Sequence, residues 1–200
     1  MATTKKVLQF RVSLQGIEPP IWRRIQVPSA YSFWDLHVAI QDSMGWLDCH
    51  LHSFHIADPH SESEIEIGIP DEDELSEEPC LPGWDVPVSQ YFRSPGDRAL
   101  YAYDFGDGWE HTLVLEAIVD RVPRRRYPVC LAGERACPPE DCGGALGYDD
   151  LLRIIQDPSD DRHEEMLQWL GKRHDPEVFA PDEVRFDNPR ERWDMAFAGG

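Results

Sequence analysis

The chain has 200 residues, of which 38 are acidic and 19 basic, for a formal net charge of -19 at pH 7. Apolar residues at 41% suffice for a packed core and exclude wholesale disorder, while so negative a charge is repelled by phosphate backbones and argues against direct nucleic-acid binding. No run approaches the ~18–20 apolar residues of a membrane helix, and the first ten residues (MATTKKVLQF) lack the apolar stretch of an export signal, so the expectation is a cytoplasmic protein with no membrane contact.

Leu8, Phe10, Val12 and Leu14 alternate with polar residues, the period of a strand with one buried face. Gly16–Pro20 reads as a turn. Ile21–Val27 is a second alternating strand, expected to pair antiparallel with the first. Ser32 stands as an N-cap with Asp35 three residues on, and Phe33, Leu36, Ile40 and Met44 fall at helical spacing, so 33–44 reads as an amphipathic helix closed by Gly45. Ser53–Ala57 and Ile65–Ile69 read as strands. Residues 70–97 read as irregular, with a short element over Val86–Phe92. Arg98–Phe105 and Glu110–Val122 form a hairpin around Gly106-Asp107-Gly108, whose glycines supply the positive φ of a tight turn. After Pro123 a Cys-, Pro- and Gly-rich loop runs to Gly147. Tyr148–Gln156 and Asp160–Leu170 are helical, and Pro189 begins a last short helix.

Strands first and helices last argue an α+β fold. The expected architecture is an antiparallel sheet of about six strands, with helix 33–44 packed on it and a C-terminal helical segment. One domain over 1–200 is expected: a sheet-rich part (6–122), a loop (123–147) and a helical part (148–197).

Several phrases carry a family resemblance: LQGIEPPIWRR (Leu14–Arg24), FWDLHVAIQDSMGW (Phe33–Trp46), LHSFHI (Leu51–Ile56), YDFGDGWEH (Tyr103–His111), ACPPEDCGGALGY (Ala136–Tyr148) and HEEMLQWLG (His163–Gly171), followed by DPEVF (Asp175–Phe179). The chain resembles the plasmid pRiA4b ORF-3-like family over roughly residues 6 to 188. Members are also described as passenger proteins of insertion elements. The resemblance implies a compact α+β domain, prokaryotic and associated with plasmids or mobile elements; it does not specify an activity.

Chemistry concentrates in four places. Asp104, Asp107, Glu110 and His111 cluster around one turn, which suits either a divalent cation with acid–base work or an ordinary hairpin tip. His50, His52 and His55 follow closely: on a strand His50 and His52 share a face and His55 takes the other. His52 or His55 with Asp104 and His111 would make a two-histidine-carboxylate metal set; the alternative is semi-buried polar histidines. Cys130, Cys137 and Cys142, with Cys49, Cys80 or a histidine as fourth ligand, could staple the loop through zinc or serve as small buried side chains. Arg23 and Arg24 follow a rigid proline turn and either clamp an anion or pair with one of the many acids. Arg121 and Arg124–Arg126 form the one basic cluster. Ten acidic residues and no Lys or Arg fall from Asp58 to Glu78, which reads as a solvated loop, with a calcium or basic-protein site as the alternative; Asp71, Asp73 and Glu74 lack the glycine and distal glutamate of a calcium loop.

Two functional classes follow. The first is a non-enzymatic binding or accessory protein with a protein partner, in which Trp22, Trp34, Trp46, Trp84 and Trp109 serve packing first and recognition second. The second is a metal-dependent hydrolase of phosphoester type, with Asp104, Asp107 and His111 as catalytic candidates, His52 or His55 completing the ligands, and a divalent metal such as zinc as cofactor.

Overall fold

A computed structural model describes residues 6–59, 61, 63–70, 80–171 and 174–197. Alternating burial along Lys6–Leu14 (β1) turns Leu8, Phe10, Val12 and Leu14 to one face. Trp22–Pro28 (β2) pairs antiparallel with β1 as expected, Phe10 opposite Ile25 and Val12 opposite Arg23. His52–Ala57 (β3), Glu64–Gly68 (β4), Leu81–Pro82 (β5), Arg98–Tyr103 (β6), Trp109–Asp120 (β7) and Val129–Glu134 (β8) complete one sheet in the order β5-β4-β3-β6-β7-β1-β2-β8. Every ladder is antiparallel except β4 with β5.

The α+β class is therefore as expected, with eight strands rather than six. The two additions lie in segments read as irregular. β5 is two residues long. β8 lies in the Cys-, Pro- and Gly-rich loop and extends the sheet by antiparallel pairing with β2. Neither shows period-two alternation; each exists because a longer strand offers it an edge. Val86–Phe92 does contain a short element, a 3-10 turn over Val88–Gln90.

One face of the sheet is the core. Phe33–Met44 (α1) lies across it, with Phe33 edge-on to Phe54 at 5.0 Å. The opposite face carries a polar ladder: Arg24 forks onto Glu116, Gln26 donates to Gln9, and Arg11 lies 4.0 Å over the Trp22 ring. Gly144–Gln156 (α2) buries Tyr148, Leu151 and Ile154; His163–Leu170 (α3) and Pro189–Phe197 (α4) bury no residue fully.

The start of α1 is a capping box. Ser32 Oγ accepts from Asp35 N at 3.2 Å, and Asp35 Oδ2 accepts from Ser32 N at 3.0 Å. At the other end Gly45 takes φ 87 and returns its N–H to Gln41 O. Ser32→Ala removes one bond of the box; thermal unfolding should show a loss of about 1 kcal/mol, or roughly 2–4 °C in Tm. A Tm unchanged within error would mean the cap carries no weight.

Among the described residues no helix is long and apolar enough to cross a membrane. Asp71, Asp73 and Glu74 lie outside the described residues.

Candidate cation site at the hairpin tip

The turn between β6 and β7 takes its positive φ from Asp104 and Gly108, not from both of the expected glycines. Asp104 itself has φ 52 and Gly108 φ 69, whereas Gly106 is not left-handed. Asp104 Oδ1 accepts from the backbone N–H groups of Gly106 and Asp107, at 3.1 and 3.2 Å, an Asx-type closure that suits a residue tolerant of positive φ. Two further contacts fix the tip in space. Asp104 N donates to Leu51 O at 3.0 Å, tying it to the segment before β3. Asp107 Oδ2 accepts from Gly143 N at 3.0 Å, tying it to the loop before α2.

Those ties bring three segments to one point. His50 Nε2 lies 3.1 Å from Asp141 Oδ1, 3.5 Å from Asp104 Oδ2 and 3.8 Å from Glu140 Oε2. The ligand atoms of His50, Asp104 and Asp141 all fall within 4.8 Å of one another. Glu140 is oriented from behind: its Oε1 accepts from Leu47 N at 2.7 Å and from the Tyr103 hydroxyl at 3.0 Å, while that hydroxyl accepts from Cys49 N. Asp104 and Glu140 thus each spend one oxygen on the protein and turn the other toward His50. His50 Nε2 is within ion-pair distance of all three carboxylates, is itself sealed from solvent, and is aligned as a hydrogen-bond donor to none of them. The Asp104 and Glu140 side chains are 10% and 13% exposed, whereas that of Asp141 is 70% exposed, so the site opens on the Asp141 side. One imidazole and several carboxylate oxygens, held by second partners, form a donor set suited to a divalent cation.

The plasmid pRiA4b ORF-3-like protein family matches residues 6–183. The chain belongs to this family. An uncharacterized protein of Sinorhizobium fredii (strain NBRC 101917 / NGR234), y4hQ, is 35% identical over 166 residues, covering 82% of this chain and 81% of the relative. The crystal structure of a protein of unknown function, MM3350 from Methanosarcina mazei Go1, aligns with a TM-score of 0.84 at 41% identity, covering 92% of this chain and 100% of that one.

In this member of the pRiA4b ORF-3-like family the expected histidine set is dispersed. His52 and His111 do not lie on neighbouring strands: β6 runs between β3 and β7, and the Tyr101 ring neighbours both imidazoles. His111 is wholly buried, its Nδ1 facing Tyr101 O at 3.4 Å and its ring edge-on to Trp46. Burial pushes its pKa down to about 3, opposed by the hydrogen bond to Tyr101 and aided by nearby Arg23. His52 stacks on His37 of α1 at 3.4 Å between ring centres, and burial also holds it well below the ordinary range. His37 bridges Asp48 and the Tyr101 hydroxyl, at 2.7 and 2.8 Å. Because Nε2–H donates to the carboxylate, Nδ1 accepts from tyrosine. His55 faces the other side of the sheet, beside Ser53 Oγ and Glu64.

Of the carboxylates expected to work together, Asp104 reaches the site and Asp107 instead braces Gly143. Cys130, Cys137 and Cys142 are free thiols, and among the described residues they do not join any group of three close ligand atoms; Cys49 and Cys80 do not supply a fourth. Burial raises the Cys130, Cys137 and Cys142 thiols, which disfavours thiolate. Arg24 takes the expected acid, Glu116, but Arg23 takes none: it is buried, donates to the carbonyls of Ser43, Trp22 and Glu134, and lies 3.6 Å over the Phe179 ring. Arg121 and Arg125 lie over Tyr127. Trp34, Trp46 and Trp109 are buried packing residues.

His50, Glu140 and Asp141 were not among the residues selected from sequence as ligands. The strand expected over Ser53–Ala57 begins one residue earlier, at His52, and His50 lies on the bend before it, so the two imidazoles do not share a strand face. The acidic pair Glu140-Asp141 inside CPPEDC is the available signal, since two adjacent carboxylates on a Pro- and Gly-constrained loop are held on a fixed backbone.

Proposed function

We propose that this protein is a non-enzymatic binding protein whose centre is a divalent-cation site, suited to zinc, formed by His50, Asp104 and Asp141 with Glu140 beside them. The observation that carries the reading is the solvent-sealed His50 Nε2 held among three carboxylates without an aligned hydrogen bond to any. A divalent ion there would take the imidazole lone pair and offset the crowding of like charges. Binding rather than turnover is supported by the state of the three core imidazoles: His37, His52 and His111 are buried and poorly placed to shuttle protons to the site. Leu47, Leu51 and Phe105 stand more than half exposed on the segments that carry the ligands, which supports a protein partner at this end of the sheet. Association with plasmids or mobile elements is supported by the family's name.

Calorimetric titration of chelator-treated protein with zinc tests the reading. One ion per chain is expected. Asp141→Asn tolerates the positive φ of that position, and Asp104→Asn keeps the acceptor for Gly106 and Asp107. Each should weaken binding by roughly 100-fold or more, since even outer-shell losses cost ~10–100-fold. No uptake by the folded wild type, or unchanged affinity in both variants, would overturn the site.

A further inference from the structure

The cation centre brings three ligand atoms close together, from His50, Asp104 and Asp141. Zinc takes four donors, and a centre with three protein ligands keeps its last position for a donor from outside. Glu140 stands apart from the close group: its Oε1 is held by Leu47 N and the Tyr103 hydroxyl, and its Oε2 lies 3.8 Å from His50 Nε2. The outside donor enters from the Asp141 side, where the centre is open to solvent.

Asp141 belongs at the same time to a cleft of about 280 Å³ between α2 and α3. The apolar wall of that cleft is Leu151 and Ile154 of α2 with Met166 and Trp169 of α3. Leu151 and Ile154 are buried, whereas Trp169 is 46% exposed. An aromatic wall beside an open metal position suits a flat ring that coordinates through its edge.

Charge decides the kind of donor. Asp104 and Asp141 already balance a divalent ion, and Glu140 places a further carboxylate beside it. The cleft adds Asp150, and its basic residue, Arg162, is committed: Nη1 lies 2.9 Å from Asp150 and Nε 3.7 Å from Asp160. An incoming anion would meet repulsion with no free cation to offset it, within a chain of net charge -19. A neutral nitrogen donor carries no such cost, and an imidazole-type nitrogen is a preferred ligand of zinc and cobalt alike.

We propose that the fourth ligand of the cation is the ring nitrogen of a neutral heteroaromatic small molecule, whose ring occupies the cleft between α2 and α3 against Trp169. The proposal rests on the cation reading above and names the ligand class of that site.

Cobalt(II) serves as a visible probe of the metal. Full-length protein loaded with one cobalt ion is titrated at pH 8 with imidazole, benzimidazole and acetate, and the absorption of the ion is followed. Imidazole and benzimidazole should both change the spectrum, benzimidazole at about tenfold lower concentration or less because its second ring buries further apolar surface. Acetate should leave it unchanged over the same range. Trp169→Ala should bring benzimidazole to the affinity of imidazole while cobalt affinity holds. If circular dichroism shows that variant misfolded, Met166→Trp, which fills the cleft from the other position on α3, is read by the same criteria. Acetate binding as tightly as imidazole, or a benzimidazole advantage that is absent in the wild type or undiminished in a folded cleft variant, would overturn the proposal while leaving the cation centre standing. Failure of the wild type to take up cobalt would overturn the centre itself, and the ligand with it.

Discussion

Acidification from pH 7 to pH 5 is expected to destabilise this protein, with His111 alone contributing about 2 kcal/mol. The imidazole is wholly buried between Trp46 and Tyr101, and burial pushes its pKa down to about 3 from an ordinary 6.5. It therefore stays neutral in the folded chain while the unfolded chain takes up a proton below about pH 6.5. More protons on the unfolded state means stability falls as pH falls, from about 6.5 down to the folded value near 3. His37 and His52 are lowered by burial too and act in the same direction, although the hydrogen bond and charge of Asp48 oppose the shift at His37, while Arg192 adds to it. Asp35 and Asp42 oppose this: burial raises their pKa, so the folded state takes up a proton before the unfolded one does. Urea unfolding at pH 7, 6 and 5 measures the balance. His111→Phe removes the titrating group while keeping a ring against Trp46 and Tyr101. Its profile should be flatter than that of the wild type by about 2 kcal/mol across the interval. Parallel profiles for the two proteins would show that His111 is not held neutral.

Gly144→Ala is expected to cost about 3 kcal/mol, a fall of roughly 6–12 °C in Tm. Gly144 has φ +68, where an L side chain is strained, and a Cβ there would stand 2.3 Å from the Asp107 carbonyl oxygen. Relief requires the hairpin tip and the start of α2 to separate. Gly171→Ala provides the control: its φ is +63, but nothing lies within 4 Å, so it carries the backbone strain of about 1 kcal/mol without the collision. The difference between the two variants isolates the contact that docks Asp107 on the loop carrying Asp141. Zinc affinity should fall in Gly144→Ala and hold in Gly171→Ala. Equal Tm losses in the two would mean that the close approach does not constrain the fold.

The elements that sequence alone determined are those whose cause is local. Leu8 to Leu14 alternate because one face of β1 is buried; Ser32 and Asp35 cap α1 because the chain must satisfy its first N–H groups; Gly45 ends it because only glycine turns left-handed freely. The charge asymmetry and the family were legible in the same way, from short contiguous phrases. What only the tertiary structure decided is adjacency. β8 carries no alternation and is a strand because β2 offers it an edge. His111 looks like a ligand beside Asp104, yet strand parity turns it into the core, since every second residue at the start of β7 faces that core. His50 and Asp141 meet Asp104 through a backbone bond from Asp104 N to Leu51 O and a bond from Gly143 N to the Asp107 carboxylate, between segments far apart along the chain. No periodicity encodes such a meeting, because it depends on how several turns close together and not on what any one stretch of residues prefers.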